Sequence, residues 1–188
     1  YSRSMLNIKD YLLILLMVTI AFCLYGLPDF YVPDESRYSE VAREMLFNKD
    51  YIVPYLNGVV CFFKPPLIYW ITTFFLSVFG DNTWAARLVN PFLLGFSLLA
   101  TYYAVKSILK SRVIAMLSVI VTMTMVVVII TGRYLNMDIG LAVFLNLTLL
   151  CYWLSLKHED NRLKSAFWLI LAFVFSGFAV MTKGFMGI

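Results

Sequence analysis

Asp34, Arg37 and Tyr38 stand at i, i+3 and i+4 in the stretch PDESRYSEVAREML, so on a helix they share one face. A carboxylate, a guanidinium and a phenol converging there would suit a phosphate-bearing headgroup. Arginine grips phosphate by paired hydrogen bonds, tyrosine donates another, and the acid accepts a proton or holds a hydroxyl or a metal. The plainer reading of Asp34 is a helix cap, and a capping acid can also be catalytic. Asp138, which ends RYLNMD, is the second candidate acid, with Arg133 in the same turn. It reads equally as an interface residue or as the cap of the apolar run that follows. Lys64 precedes Pro65-Pro66, and Lys183 closes the last apolar run. Each is either a snorkelling interface lysine or a point charge for phosphate, and Arg87 invites the same pair of readings. Glu35 falls in the first turn of the expected helix, and Tyr69 belongs to an aromatic group with Trp70, Phe74 and Phe75.

The elements that must position these residues are those of a membrane bundle. The chain has 188 residues, of which 62% are hydrophobic and 14% charged. A soluble domain carries about a quarter charged residues. The mean hydropathy is +0.83, which points to a polytopic membrane protein. A formal charge of +4 without a basic run interleaved with aromatics argues against nucleic acid as a partner. Cys23, Cys61 and Cys151 form no CxxC pair and read as small buried hydrophobes. The single histidine, His158, lies in the polar linker KHEDNRLK and reads as solvated. There is no HExxH or other closed metal-ligand set.

Uncharged runs at 11–27, 88–105, 113–132, 139–156 and 166–182 are each long enough to cross a bilayer, which takes ~17–25 residues. The first follows Arg3 and Lys9 but lacks a small-x-small cleavage pattern, so it reads as a retained span. A shorter run, 65–80, begins with two prolines. If it does not cross, Arg3, Lys9, Lys106, Lys110, Arg112, Lys157, Arg162 and Lys164 all fall on one side. The long 28–87 segment and the RYLNMD turn, with most of the acids, fall on the other. That is a positive-inside pattern, and a crossing 65–80 helix would break it.

The expectation is therefore an all-α polytopic bundle in an inner membrane, with the N-terminus cytoplasmic. The 28–87 loop would be extracytoplasmic and hold helices at about 34–47 and 65–80, the second lying along the membrane face. Tyr38, Val41, Ala42, Met45 and Leu46 recur at helical spacing. NKD and LNG read as turns. Asp138 comes to the same side as Asp34. Arg37, Lys64, Arg87 and Lys183 are cations on the side that should be depleted of them, which suggests a reason to hold anions there. The run ends at FMGI with no polar tail, as the front part of a longer protein would.

PDESRYSEVAREML, PYLNG, FFKPPLIYW, Arg87, GRYLNMD and TKG, in that order and at these separations, closely resemble the aminoarabinose transferase and protein mannosyltransferase superfamily. These are polyprenyl-phosphate-sugar-dependent membrane glycosyltransferases of the C-type fold, and the resemblance covers nearly the whole chain. It implies many spans, an active site on the outer face and a donor sugar on undecaprenyl or dolichyl phosphate. It implies that Asp34 is the principal catalytic carboxylate and Asp138 the second acid. Arg37, Tyr38, Lys64, Arg133 and Lys183 would bind donor or acceptor phosphates, supported by Glu35, Tyr69 and Arg87. The implied partners are a polyprenyl-phosphate sugar, a lipid or glycan acceptor of the envelope such as lipid A, and the membrane itself. Many aminoarabinose-type relatives carry an acid, associated with metal binding, directly before Lys-Pro-Pro. Here Phe63 stands there, which leaves a divalent cation an open question. Full-length relatives have more spans and an outer domain. The alternative is a polytopic transporter or structural membrane protein, or an inactive fragment. Transporters place ionisable residues inside spans, and these runs have none.

Overall fold

The computed structural model describes residues 8–23 and 33–184. The expected first span, 11–27, therefore runs partly outside the described residues. Its described part is α1 (Ile8–Val18) followed by a π-helical turn at Thr19–Cys23. Next come α2 (Pro33–Asn48), a small hairpin of β1 (Tyr55–Leu56) and β2 (Val59–Val60), and α3 (Leu67–Phe79). Then follow α4 (Thr83–Arg87), α5 (Val89–Leu109), α6 (Arg112–Thr124), α7 (Val126–Thr131), α8 (Asp138–Lys157) and α9 (Arg162–Lys183). Among the described residues three helical stretches are long and apolar enough to cross a membrane, Thr83–Leu109, Asp138–Lys157 and Arg162–Lys183. At ~1.5 Å per residue each matches or exceeds a ~30 Å hydrocarbon core.

The run 113–132, expected as one span, is two helices. Met125 between them is extended, with φ −61° and ψ 129°. The cause is local. Thr124 Oγ1 donates back to the carbonyls of Ile120 and Val121, both at 3.0 Å, and such back-bonding bends helices. The β-branched run Val126–Ile130 follows, and such side chains crowd the preceding turn.

The core sits where α5 and α8 cross, with α9 packed along α8, α6 along α5 and α1 against α5. Its buried side chains include Ile14, Leu93, Leu98, Val119, Val143 and Phe144. The remaining faces of α6 and α9 expose apolar residues such as Val113, Leu117, Phe167 and Phe173.

One end of this bundle carries α2, the hairpin, α3 and the α7–α8 turn. α2 packs on α3, where the Thr73 hydroxyl donates to the Ala42 carbonyl at 3.0 Å. α3 has 13 residues, or ~20 Å of helix, which is too short to cross. It packs against the first turns of α5 and α8. Phe75 meets Phe92 of α5 edge to face at 5.3 Å, and Ile68 reaches Gly140 of α8. At the hairpin tip Asn57 (φ 54°) and Gly58 (φ 75°) both adopt left-handed backbone, as a two-residue I′ turn requires.

The other end carries a clasp that sequence reading did not foresee. Asp10, 1% exposed, accepts the Tyr102 hydroxyl and the Nε and Nη2 of Arg112. This ties α1 to α5 and α6. His158, expected to be solvated, is half-buried at the end of α8, where its Nδ1–H donates to the Leu154 carbonyl at 2.9 Å.

Candidate active site

A cavity of about 230 Å³ opens at the end of the bundle that carries α2 and α3. α2 contributes Asp34 and Tyr38, and the approach to α3 contributes Lys64. The α7–α8 turn contributes Tyr134, Asn136 and Met137, α8 its first residue Asp138, and α9 its last residue Lys183.

The local reasons begin with Pro33. It is the first helical residue of α2, where its missing N–H costs nothing and its fixed φ suits a helix. Asp34 therefore lies inside the first turn and is not the cap that its sequence suggested. It is free to project, and it makes an ion pair with Arg37 Nη1 at 3.4 Å, with both side chains about half exposed. An acid in the first turn also gains from the helix dipole. Asp138 is likewise not a cap. That role falls to Asn136, whose Oδ1 accepts the N–H groups of Asp138 (3.0 Å) and Ile139 (3.2 Å). Asp138 is left to pair with Lys183 Nζ across the cavity wall.

Beneath Asp34 its neighbour points the other way. Glu35 is fully buried, and Arg87 is 5% exposed. Arg87 Nε donates to Glu35 Oε1 at 2.7 Å and Nη2 to Oε2 at 3.0 Å, a two-pronged pair of the strong kind. The same Oε1 accepts the Leu135 N–H at 3.1 Å. One carboxylate thus joins α2, α4 and the α7–α8 turn, and so fixes Asp34 relative to Asp138. Asn90 of α5 adds a second tie, its Nδ2 donating to the carbonyls of Thr131 (3.1 Å) and Tyr134 (2.6 Å). Asn136 Nδ2 also bonds both carbonyls.

The close approach of α3, α8 and α9 beside the cavity depends on Gly140. A Cβ there would stand 2.7 Å from Ile68 Cδ1 and 3.1 Å from Thr182 Cγ2. Tyr69, 1% exposed, backs Tyr38 with ring centroids 6.2 Å apart. Burial pushes the Tyr38 phenol above its usual pKa, and the nearby Asp34 and Asp138 charges add to the rise. The hydroxyl therefore stays protonated at neutral pH and serves as a donor. Both carboxylates line the same cavity as the phenol.

The structure thus brings Asp34, Tyr38, Lys64, Asp138 and Lys183 to one cavity. Arg37 stands outside its lining, on the exposed side of Asp34, and the half-buried Arg133 does not line it either. Glu35, Arg87 and Tyr69 lie behind it. Sequence reasoning missed Tyr134, Asn136, Met137, Asn90 and Gly140. An asparagine two residues before an acid that starts an apolar run is a capping signal, and Asn136 was legible on that ground. Among the described residues no three His, Cys, Asp or Glu side chains group as a metal would need. Chemically, the cavity sets two ammonium groups and a phenol, suited to phosphate oxygens, among two carboxylates able to take a proton or orient a hydroxyl.

Comparison with known proteins gives concordant matches. The family model described as dolichyl-phosphate-mannose-protein mannosyltransferase matches residues 9–188. Among curated proteins, an undecaprenyl phosphate-alpha-4-amino-4-deoxy-L-arabinose arabinosyl transferase from Wigglesworthia glossinidia brevipalpis is 33% identical over 85% of this chain and 28% of its own length. The protein of the same name from Pseudomonas savastanoi pv. phaseolicola is 30% identical over 95% of this chain and 33% of its own. The chain spans about a third of the length of these relatives. The fold is similar to that of ArnT from Cupriavidus metallidurans in the apo state. The TM-score is 0.85 and the identity 24%, over 96% of this chain and 33% of that one. The structure of that protein bound to undecaprenyl phosphate superposes with a TM-score of 0.85 at 23% identity, over the same shares of the two chains.

Proposed function

We propose, for a chain that belongs to the dolichyl-phosphate-mannose-protein mannosyltransferase family, that it forms the catalytic front part of a membrane glycosyltransferase. Its donor is a sugar on undecaprenyl phosphate, aminoarabinose being the sugar that the relatives' names supply. Its acceptor is an envelope lipid of the lipid A type. The observation that carries this reading is the cavity, where Lys64, Lys183 and Tyr38 can face a phosphate while Asp34 and Asp138 stand beside it.

The reaction is an in-line displacement at the anomeric carbon, with inversion. The bond from that carbon to the phosphate oxygen breaks, and its electron pair leaves with undecaprenyl phosphate. A bond from the acceptor oxygen to the same carbon forms. Lys183, paired with Asp138, and the buried Tyr38 are in place before reaction and, with Lys64, stabilise the charge that grows on the leaving phosphate. A hydroxyl acceptor passes its proton to Asp34. A phosphate acceptor is already an anion, and Asp34 then positions it. Lys183 is shared with Asp138, so Asp138 sets where that ammonium stands. The cation-rich end, with Lys106, Arg112, Lys157 and Lys164, faces the cytoplasm by the positive-inside rule. The cavity then opens on the outer face of the inner membrane.

Asp34→Asn tests the assignment. In membranes containing the full gene product, transfer of labelled sugar from the undecaprenyl-phosphate donor is expected to fall by about 10²–10⁴, the usual contribution of a positioned acid or base. Insertion into the membrane should be unchanged. Near-normal transfer by this variant would overturn the role given to Asp34.

A further inference from the structure

The stretch from Tyr51 to Phe63, YIVPYLNGVVCFF, has no charged residue between Asp50 and Lys64. It nevertheless forms part of the molecular surface. Ile52 is 82% exposed, Phe63 77%, Phe62 70% and Val59 69%. Contiguous apolar surface on this scale marks an interaction site.

The segment is held rigidly in this presentation. Asp50 Oδ1 accepts the N–H groups of Ile52 and Val53 at 3.0 and 3.1 Å. The Cys61 N–H donates to the Pro54 carbonyl at 2.8 Å, and the Gly58 N–H to the Glu44 carboxylate at 3.2 Å. The Trp70 indole donates to the Tyr51 carbonyl at 2.6 Å. These bonds fix the course of the hairpin relative to α2 and α3.

The height of this surface relative to the bundle decides its partner. α3 rests on Gly140, the third residue of α8, through Ile68, and on Phe92 near the start of α5 through Phe75. It therefore lies level with the ends of the membrane helices and not above them. Its outward stripe, Trp70, Phe74 and Val78, is exposed. Tyr51 joins Trp70 and Phe74 in lining one shallow apolar groove, so stripe and hairpin are continuous with each other and level with the lipid-facing bundle.

We propose that the 51–63 hairpin, with the outward stripe of α3, is a lip inserted into the bilayer leaflet on the cavity's side. Its partner is lipid, contacted by Val59, Phe62 and Phe63. Tyr51 and Trp70, each with an apolar ring and a polar atom, sit at the headgroup level where such residues collect. Lys64 follows Phe63 directly and lines the cavity. The lip therefore sets the cavity mouth at the membrane surface. The lip stands on surface and geometry and does not depend on the catalytic reading.

Spin labels test it in the full protein, in nanodiscs of phosphatidylethanolamine and phosphatidylglycerol. Single cysteines at Val59, Phe62 and Phe63, in a background with every native cysteine, Cys23, Cys61 and Cys151 among them, replaced by alanine, should collide more with oxygen than with a water-soluble nickel chelate. A label at the exposed Ser36 of α2 should show the reverse. Nickel-favoured collisions at the three lip positions would overturn the proposal. Labels closed to both reagents would overturn it in favour of a protein cover. The unmutated protein gives an independent readout through a phospholipid with a photoreactive acyl chain. Cross-links within 51–63 are expected, and their absence while any membrane-spanning helix of the protein is labelled would also refute the lip.

Discussion

The bundle carries charge at both ends, and the two ends use their acids differently. At the end with the clasp, Asp10 is buried and saturated by Tyr102 and Arg112. At the cavity end, Asp34 and Asp138 each touch one cation yet remain 55% and 57% exposed. The contrast repeats within a single dipeptide. Asp34 faces the cavity, while Glu35, next to it in the chain, is buried on Arg87 and the Leu135 N–H. An acid whose lone pairs are all engaged in a dry setting holds structure. One with spare acceptor capacity and access to solvent can exchange protons and partners. The cavity end thus combines a fixed acid and an available acid in adjacent positions, and the first orients the second.

This difference can be broken experimentally, and Glu35→Gln should do so most strongly. It removes the charge of one partner of a buried two-pronged pair, a loss of about 3–5 kcal/mol, readable as a lower thermal midpoint in detergent. A variant as stable as the parent would mean that the pair is not the hub described here. Asp10→Asn should cost less, about 1.5 kcal/mol for the weakened charged hydrogen bonds. Arg112 is 61% exposed and keeps its contact with water. Gly140→Ala should cost about 1 kcal/mol, because the new methyl meets the end of Ile68. It should also lower transfer, by wedging α8 and its Asp138 away from α3. Asp34→Asn gives up only an exposed ion pair and should change stability by less than about 0.5 kcal/mol, although it is the change expected to lower transfer by about 10²–10⁴. Equal stability losses for the substitutions at positions 34 and 35 would erase the distinction between available and fixed acids.

The elements were the more legible part. The spacing of Tyr38, Val41, Ala42 and Met45 marks the helix that the structure shows as α2, and the uncharged runs mark α5, α8 and α9. The break at Met125 was not legible, because neither charge nor proline marks it. It arises from a threonine that turns its hydroxyl onto its own helix. Around the cavity, residue types and a charge-derived topology were enough to nominate Asp34, Tyr38, Lys64, Asp138 and Lys183. Which of the nominated cations line the cavity was not: Arg37 and Arg133 stand outside it.

The sequence by itself determined an all-α membrane protein and a family whose motifs run in order along the chain. These follow from properties that act locally: hydropathy over a span's length, charge at its ends, and the spacing of one helix face. Only the tertiary structure decided that Glu35 is a lock while Asp34 is not, that Asn136 does the capping, and that Gly140 lets three helices meet. Only there does the uncharged 51–63 stretch become a surface level with the membrane helices. Each of these depends on partners distant in sequence, Arg87 and Leu135 for Glu35, and Ile68 and Thr182 for Gly140. Burial and hydrogen bonding between such residues exist only once the helices have packed, and no local pattern encodes them.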